Sequence, residues 1–62
     1  MYEKLNSVLK EKGITKLKLS RLAGINSPDL YSALKGNKPM YKGWRERISE
    51  ALEISESDLF DD

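Results

Sequence analysis

The stretch SRLAGINSPDLYSALKG, residues 20–36, contains two short segments of helical periodicity with a break between them. The break consists of Gly24 and Ile25 followed by Asn26, Ser27 and Pro28. Glycine favours the left-handed conformation that ends a helix, and proline is tolerated in a helix only within the first turn. One straight helix therefore cannot run through this point. The sequence predicts two helices that meet at an angle, the second with its leading end exposed.

The residue types that are missing exclude several classes of function. The 62 residues include no cysteine and no histidine, so a disulfide and a thiolate nucleophile are excluded and the commonest metal ligand is missing. Scattered carboxylates are the nearest approach to a catalytic pair, and acidic helices carry those in any case. We expect one non-enzymatic domain over residues 1–62, with no catalytic residue, metal site, cofactor or small-molecule substrate. No apolar run approaches the ~20 residues that span a bilayer, so we expect a cytoplasmic protein without membrane contact.

Charge is distributed unevenly along the chain. Residues 1–47 hold all eleven Lys and Arg side chains and four carboxylates, a net charge of +7, whereas residues 48–62 hold six carboxylates and no basic side chain, a net charge of −6. This asymmetry favours a polyanion as the partner of the basic part. Two solvated surfaces of opposite sign would give the same counts, so both interpretations stay open at this point.

Periodicity and capping residues predict two helices before the break. The first covers about residues 2–12 and ends at Gly13, which suits a left-handed helix end. The second begins after Thr15, whose side chain can cap the helix. Its buried face is expected to hold Leu19, Leu22 and Ala23.

Three further helices are expected after the break. Ser27 is predicted to cap the third helix, with Pro28 at its first position and Gly36 at its end. Turn residues 37–43 precede a fourth helix, and Ser55 caps a fifth. The apolar face of the fourth helix holds Trp44, Ile48, Ala51 and Leu52. Because no strand-like alternation occurs, the fold class is expected to be all-α.

The fourth and fifth helices carry two more expectations. Trp44 lies at helical spacing on the apolar face, so we expect it in the core rather than, with Tyr41, in a stacking platform for single strands. Asp58 stands three residues after Ser55, which is the spacing of a capping box.

The third helix has a polar face that suits DNA. Leu30, Ala33 and Leu34 cluster on one side of a helical wheel. Asn26 and Ser27 stand at the N terminus, where backbone N–H groups and the helix dipole suit a phosphate or a base acceptor. The candidate base contacts are therefore these two residues and the outward set of Pro28, Tyr31, Ser32 and Lys35. An ordinary amphipathic helix with a solvated polar face is the alternative.

The segment LKLSRLAGINSPDLYSALKG, residues 17–36, resembles the helix-turn-helix of the Cro and lambda-repressor-like family of bacterial and phage transcription regulators. The family's pattern of aliphatic, small and glycine residues matches Leu19, Ser20, Gly24, Ile25 and Leu30. Pro39, Trp44, Ile48, Leu52, Ile54 and the SESDLF ending are also similar to the family's last two helices. The resemblance implies a compact five-helix DNA-binding domain with its helix-turn-helix at about 16–36.

The resemblance also implies roles for individual residues. A recognition helix at about 28–35 would enter the major groove of double-stranded DNA, and the second helix would lie across the backbone. The implied phosphate contacts are Lys16, Arg21, Lys38 and Lys42. Lys4, Lys10, Lys12, Arg45 and Arg47 are expected to be plain surface.

Three positions depart from the family's pattern. Lys16 stands where the family often has Gln, Ser20 replaces the customary Ala, and Leu34 replaces a frequent Glu. Leu17 projects away from the apolar face of the second helix. It is either an isolated exposed leucine or part of a partner surface.

The sequence thus predicts a small sequence-specific transcription regulator, Cro-like or repressor-like and, by resemblance alone, from a phage or mobile element. The alternative is an antirepressor-like or antitoxin-like module that uses the same fold to hold a protein. A weak homodimer through Leu59, Phe60 or the fourth helix, and a monomer that pairs only on DNA, both stay open. The operator sequence and the choice between repression and activation are not specified by the chain.

Overall fold

The computed structural model describes residues 2–60, which form five α-helices. Their bounds are α1 (Glu3–Lys12), α2 (Lys16–Ala23), α3 (Ser27–Leu34), α4 (Lys42–Leu52) and α5 (Glu56–Leu59). No strand occurs within residues 2–60, and the all-α, five-helix prediction is confirmed. Met1, Asp61 and Asp62, two of which were counted in the acidic segment, lie outside the described residues.

The first three helices end at the glycines, as the sequence predicted. Gly13, Gly24 and Gly36 have φ angles of 66°, 68° and 87°, in the left-handed region that glycine adopts without steric penalty. After Gly13 and Gly24, the next residue donates its N–H to the carbonyl five residues back, with N···O distances of 2.9 Å in both cases. These bonds satisfy carbonyls that would otherwise lack a partner at the helix end.

The helix starts agree less well with the predictions. Thr15 caps α2 as expected, because its Oγ1 accepts from the backbone N–H of Lys18 at 3.1 Å. At α3, however, Asn26 occupies the N-cap position, so Ser27 is the first helical residue and the prediction that it caps the helix is wrong. Pro28 is consequently the second helical residue, where its missing N–H is still harmless.

The last two helices also differ in detail from the prediction. α4 begins at Lys42, so Lys42 and Gly43 belong to the helix rather than to the turn before it. Ser55 is the N-cap of α5, but its hydroxyl donates to the carboxylate of Asp58 at 3.0 Å and makes no bond to a backbone N–H. The capping box is therefore not formed.

The core lies between the five helices. α2 packs against both α3 and α4, whereas α5 packs against α1 and α4. The buried apolar side chains are Leu5, Leu9, Leu19, Ala23, Ile25, Leu30, Ala33, Leu34, Met40, Ile48, Leu52, Leu59 and Phe60. Trp44 is half-buried against this core, and its ring makes an edge-to-face contact with Tyr41 at a centroid distance of 4.7 Å.

Two predictions about burial are wrong. Leu22 is 50% exposed, because the buried side of α2 is formed by Leu19, Ser20 and Ala23 instead. Arg45 is half-buried, with its guanidinium 5.7 Å from the centroid of the Phe60 ring. Arg47 is exposed as predicted, but its Nη1 donates to the carbonyl oxygen of Gly24 at 3.3 Å, a contact that the sequence did not predict. Leu17, by contrast, is exposed as predicted.

Candidate nucleic-acid interface

A shallow groove of about 230 Å³ lies between the start of α2 and the exposed side of α3. Its lining consists of Lys16 from α2 and Tyr31, Leu34 and Lys35 from α3 or its end. The groove brings two candidate base contacts, Tyr31 and Lys35, next to the candidate phosphate contact Lys16. The lining of the groove is mostly apolar, and the polar groups of the residues that form it are two ammonium groups and a phenol, which are suited to the phosphates and base edges of a nucleic acid.

The other candidate base contacts on the outward face of α3 differ in their exposure to solvent. Pro28 is exposed, as is Asn26 just before the helix, whereas Ser32 is half-buried. The carbonyl of Ser32 accepts from the N–H of Asn37 at 2.9 Å and so helps to end the helix. Ser32 is thus less accessible than Tyr31 and Lys35, which are both exposed.

A pair of serine hydroxyls joins α2 to α3. Ser20 is only 2% exposed, and its hydroxyl donates to the backbone carbonyl of Leu17 at 2.6 Å. Its Oγ also lies 2.8 Å from the Oγ of Ser27, the first residue of α3. The candidate base contact Ser27 is therefore bonded to the interior of the helix-turn-helix.

An ion pair connects α3 to the loop that follows it. The Nζ of Lys38 donates to Oδ1 of Asp29 at 2.6 Å. This hydrogen bond and the charge of Asp29 raise the pKa of Lys38 above its ordinary value of 10.5, so Lys38 is positively charged at neutral pH. The candidate phosphate contact Lys38 is thus held beside the first turn of α3.

The two remaining candidate phosphate contacts stand apart. Arg21 is exposed near the end of α2, and Lys42 is exposed at the first position of α4. No described contact within residues 2–60 joins either of them to the groove. The structure does not unite them with the other candidates.

Sequence reasoning missed three residues that shape this surface. Asp29 forms an ion pair with Lys38, and Ser20 forms a hydrogen bond with Ser27. Arg47 on α4 donates a hydrogen bond to the carbonyl oxygen of Gly24. The serine at position 20, where the resembled family customarily has alanine, was the one available signal. The other two contacts join residues 9 and 23 positions apart, a separation that no helical period reveals.

Two helices joined by a short turn, the second with a polar outward face, define the class of helix-turn-helix proteins. Residues 4–62 match the family model of the Cro/C1-type HTH DNA-binding domain. Because this match covers nearly the whole chain, the chain belongs to that family, and the resemblance is confirmed. No curated protein and no solved structure matches the chain.

Family membership makes DNA binding by a regulator the general function of this chain. In the part of the chain that the structure describes, no helix has the length and hydropathy needed to cross a membrane.

Proposed function

We propose that residues 1–62 form one domain that binds double-stranded DNA sequence-specifically as a small transcriptional regulator. In this proposal the helix-turn-helix covers about residues 16–36, α3 enters the major groove, and α2 lies across the backbone. The observation that carries the proposal is the groove in which Lys16 of α2 lies beside Tyr31 and Lys35. A helix that enters a major groove must present base-reading groups next to groups that meet the flanking phosphates, and in this proposal Tyr31 and Lys35 would be the first and Lys16 the second.

The candidate residues divide into two sets with different tasks. Asn26, Ser27, Pro28, Tyr31, Ser32 and Lys35 would contact base edges. Lys16, Arg21, Lys38 and Lys42 would contact phosphates. Base contacts carry sequence information, whereas phosphate contacts set position and make binding depend on salt.

The size of the molecule favours one half-site for each chain. Its Cα atoms extend over 24 × 23 × 18 Å. Successive major grooves on one side of the duplex are ~34 Å apart, so two chains are needed to occupy two of them. We therefore propose that a palindromic site would be bound by two copies, which pair weakly or only on DNA.

Selection of binding sites from random duplexes, followed by titrations at several salt concentrations, tests the proposal. Lys35→Ala should weaken binding to the selected duplex by roughly ten- to a hundredfold and leave a scrambled duplex less affected, because a base contact is lost. Lys16→Ala should weaken both duplexes alike and lower the slope of log affinity against log salt by about one unit. Lys10→Ala on α1 removes the same charge and should change neither site preference nor slope.

A flat salt response of the unmodified chain would contradict the proposal. The second candidate function, a module that holds a protein partner, is favoured by the exposure of Leu17 and Leu22 on α2, which are 41% and 50% exposed. That function predicts binding to a protein that is insensitive to salt and is lost in Leu17→Ser, with no affinity for any selected duplex.

A further inference from the structure

The two serine hydroxyls at the α2–α3 contact have a defined donor and acceptor order. A carbonyl oxygen can only accept, so the short contact to Leu17 O takes the single hydrogen of the Ser20 hydroxyl. Ser20 Oγ can then act toward Ser27 only as an acceptor. The hydroxyl of Ser27 therefore donates to Ser20 Oγ across the 2.8 Å contact.

This order leaves Ser27 with lone pairs and no hydrogen to offer. A hydroxyl has one donor hydrogen and two acceptor lone pairs, and the donor of Ser27 is directed into the protein. Ser27 is half-buried at the first position of α3. Tyr31, which lines the groove, lies one helical turn further along the same side of α3.

We propose that the buried Ser20 fixes the hydroxyl of Ser27 as an acceptor and thereby makes it select an amino group on the base that it faces. In the major groove cytosine N4 and adenine N6 are donors, whereas guanine and thymine present only acceptors. Ser27 thus selects cytosine or adenine at one nucleotide of the site. The same polarity excludes the Ser27 hydroxyl, though not the backbone N–H of Ser27, from hydrogen bonds to phosphate oxygens, which are acceptors as well. This inference rests on the proposed function.

Ser20 acts here as a positioning residue, because it touches no DNA itself. Its side chain is buried, so removal of its hydroxyl can change DNA binding only through Ser27 or through the placement of α3. These two routes have different signatures. Loss of the fixed polarity changes the preference at one base pair, whereas a displaced α3 weakens the preference at every pair that the helix reads.

The test is selection of sites from random duplexes, with affinities for single-base variants of the selected site. It uses the full chain, Ser20→Ala, Ser27→Ala and the control Ser49→Ala. Ser49 is a half-buried serine whose hydroxyl donates to Ile54 O at 2.6 Å at the end of α4. The control therefore loses a comparable hydroxyl bond outside the α2–α3 contact.

The unmodified chain should prefer cytosine or adenine to guanine or thymine at one position by roughly three- to tenfold, the factor that one hydrogen bond supplies. Ser20→Ala frees the Ser27 hydroxyl to donate as well as accept, so this preference should fall below about twofold while the other positions are unchanged. Ser27→Ala should abolish the same preference. Ser49→Ala should keep the full pattern.

Two results would overturn the inference and leave the proposed function intact. One is a Ser20→Ala chain that keeps the preference at that position. The other is a Ser20→Ala chain that loses its base preference at every position. That result would mean that Ser20 acts only by placing α3. If the unmodified chain prefers no duplex, the proposed function fails and the base selection fails with it.

A measurement without DNA tests the hydroxyl pair by itself. Urea unfolding of Ser20→Ala, Ser27→Ala and the double variant forms a double-mutant cycle. The hydrogen bond between the two residues predicts that the double variant loses less stability than the two single losses combined. Additive losses would contradict the pair, and with it the inference.

Discussion

The α2–α3 and α4–α5 junctions share one backbone pattern. Each consists of a left-handed residue, an isoleucine and an N-cap residue, at 24–26 in the first junction and 53–55 in the second. In each, the isoleucine N–H donates to a serine carbonyl five residues back, over 2.9 Å to Ser20 O and 3.2 Å to Ser49 O. The two junctions differ in the residues that occupy this shared frame.

Glycine and a buried isoleucine build the first junction, whereas the second uses a glutamate and a half-buried isoleucine. Gly24 and Glu53 have φ angles of 68° and 57°, and only the glycine adopts them without a steric penalty. Ile25 is 5% exposed, while Ile54 lies at the edge of the core. The α2–α3 junction, which sets the angle of α3, is therefore free of backbone strain and packed into the core through its isoleucine. The other orients a helix of four residues and retains strain.

The serine in the frame also has a different role in each junction. The hydroxyl of Ser49 donates to Ile54 O and so closes its own junction. The hydroxyl of Ser20 lies against Ser27 and so reaches the next helix. One backbone motif thus serves as a simple helix end at α4 and as a helix-to-helix contact at α2.

The largest expected difference between the junctions concerns the isoleucines. Ile25→Ala should lower the free energy of unfolding by about 2–4 kcal/mol, because it leaves a cavity in the core. Ile54→Ala should lower it by about 1–2 kcal/mol, because its side chain is only partly removed from water. A core of this size supplies ~3–5 kcal/mol, so the first variant should lose most of its stability, which urea titrations followed by circular dichroism measure. Equal losses would contradict the comparison.

Gly24→Ala should cost about 1–2 kcal/mol through the backbone alone. Among the described residues, no atom beyond Gly24 and its two chain neighbours lies within 4 Å of a Cβ added there, so the loss measures the left-handed conformation and not a clash with another part of the fold. Gly43→Ala is the matched control, since it also has open space but lies inside α4. Thermal unfolding should show a loss for the first variant and an unchanged or slightly higher Tm for the second.

Glu53→Gly should instead stabilise the chain, by about 0.5–1 kcal/mol, because it relieves the left-handed strain at a smaller entropic cost. Glu53→Gln removes the same charge and keeps the strain, so it should show no such gain. Urea unfolding of both variants separates backbone from charge. A gain in the glutamine variant would show that acidic repulsion, not conformation, limits this junction.

The smallest expected effect lies outside the two junctions, in the loop that follows α3. Asp29→Asn removes the partner that raises the pKa of Lys38, and exposed ion pairs contribute little. A raised pKa stabilises the folded chain at pH values below the unfolded pKa of Lys38 at which Asp29 is ionised, and the effect is lost as the pH rises through the raised value. The difference in Tm between the two chains should therefore be small and constant from about pH 7 to 9, begin to fall near 10.5 and vanish above the raised pKa. A difference in Tm that changes between about pH 7 and 9 would show that a group other than Lys38 causes the difference.

Residues that act on their chain neighbours predicted the helix ends. The features that the sequence did not predict depend on how the helices pack against one another. Gly13, Gly24 and Thr15 were predictable because a left-handed φ and a cap depend only on neighbours in the chain. Leu22 was misplaced because a helical wheel does not show which neighbouring helix covers which flank of α2. Lys38 was named as a phosphate contact without its bond to Asp29, since that bond depends on the path of the loop after α3.

The three-residue link at 24–26 has a consequence for the thermodynamics of association. With Ile25 buried in the core and Arg47 bonded to Gly24 O, α3 has a fixed direction before any ligand is present. The loss of conformational entropy on binding is then confined to exposed side chains such as Tyr31 and Lys35, at about 0.5–1.5 kcal/mol for each rotamer-rich one. A preorganised helix of this kind associates as a rigid body, so sequence variants of the site should differ in their dissociation rates far more than in their association rates.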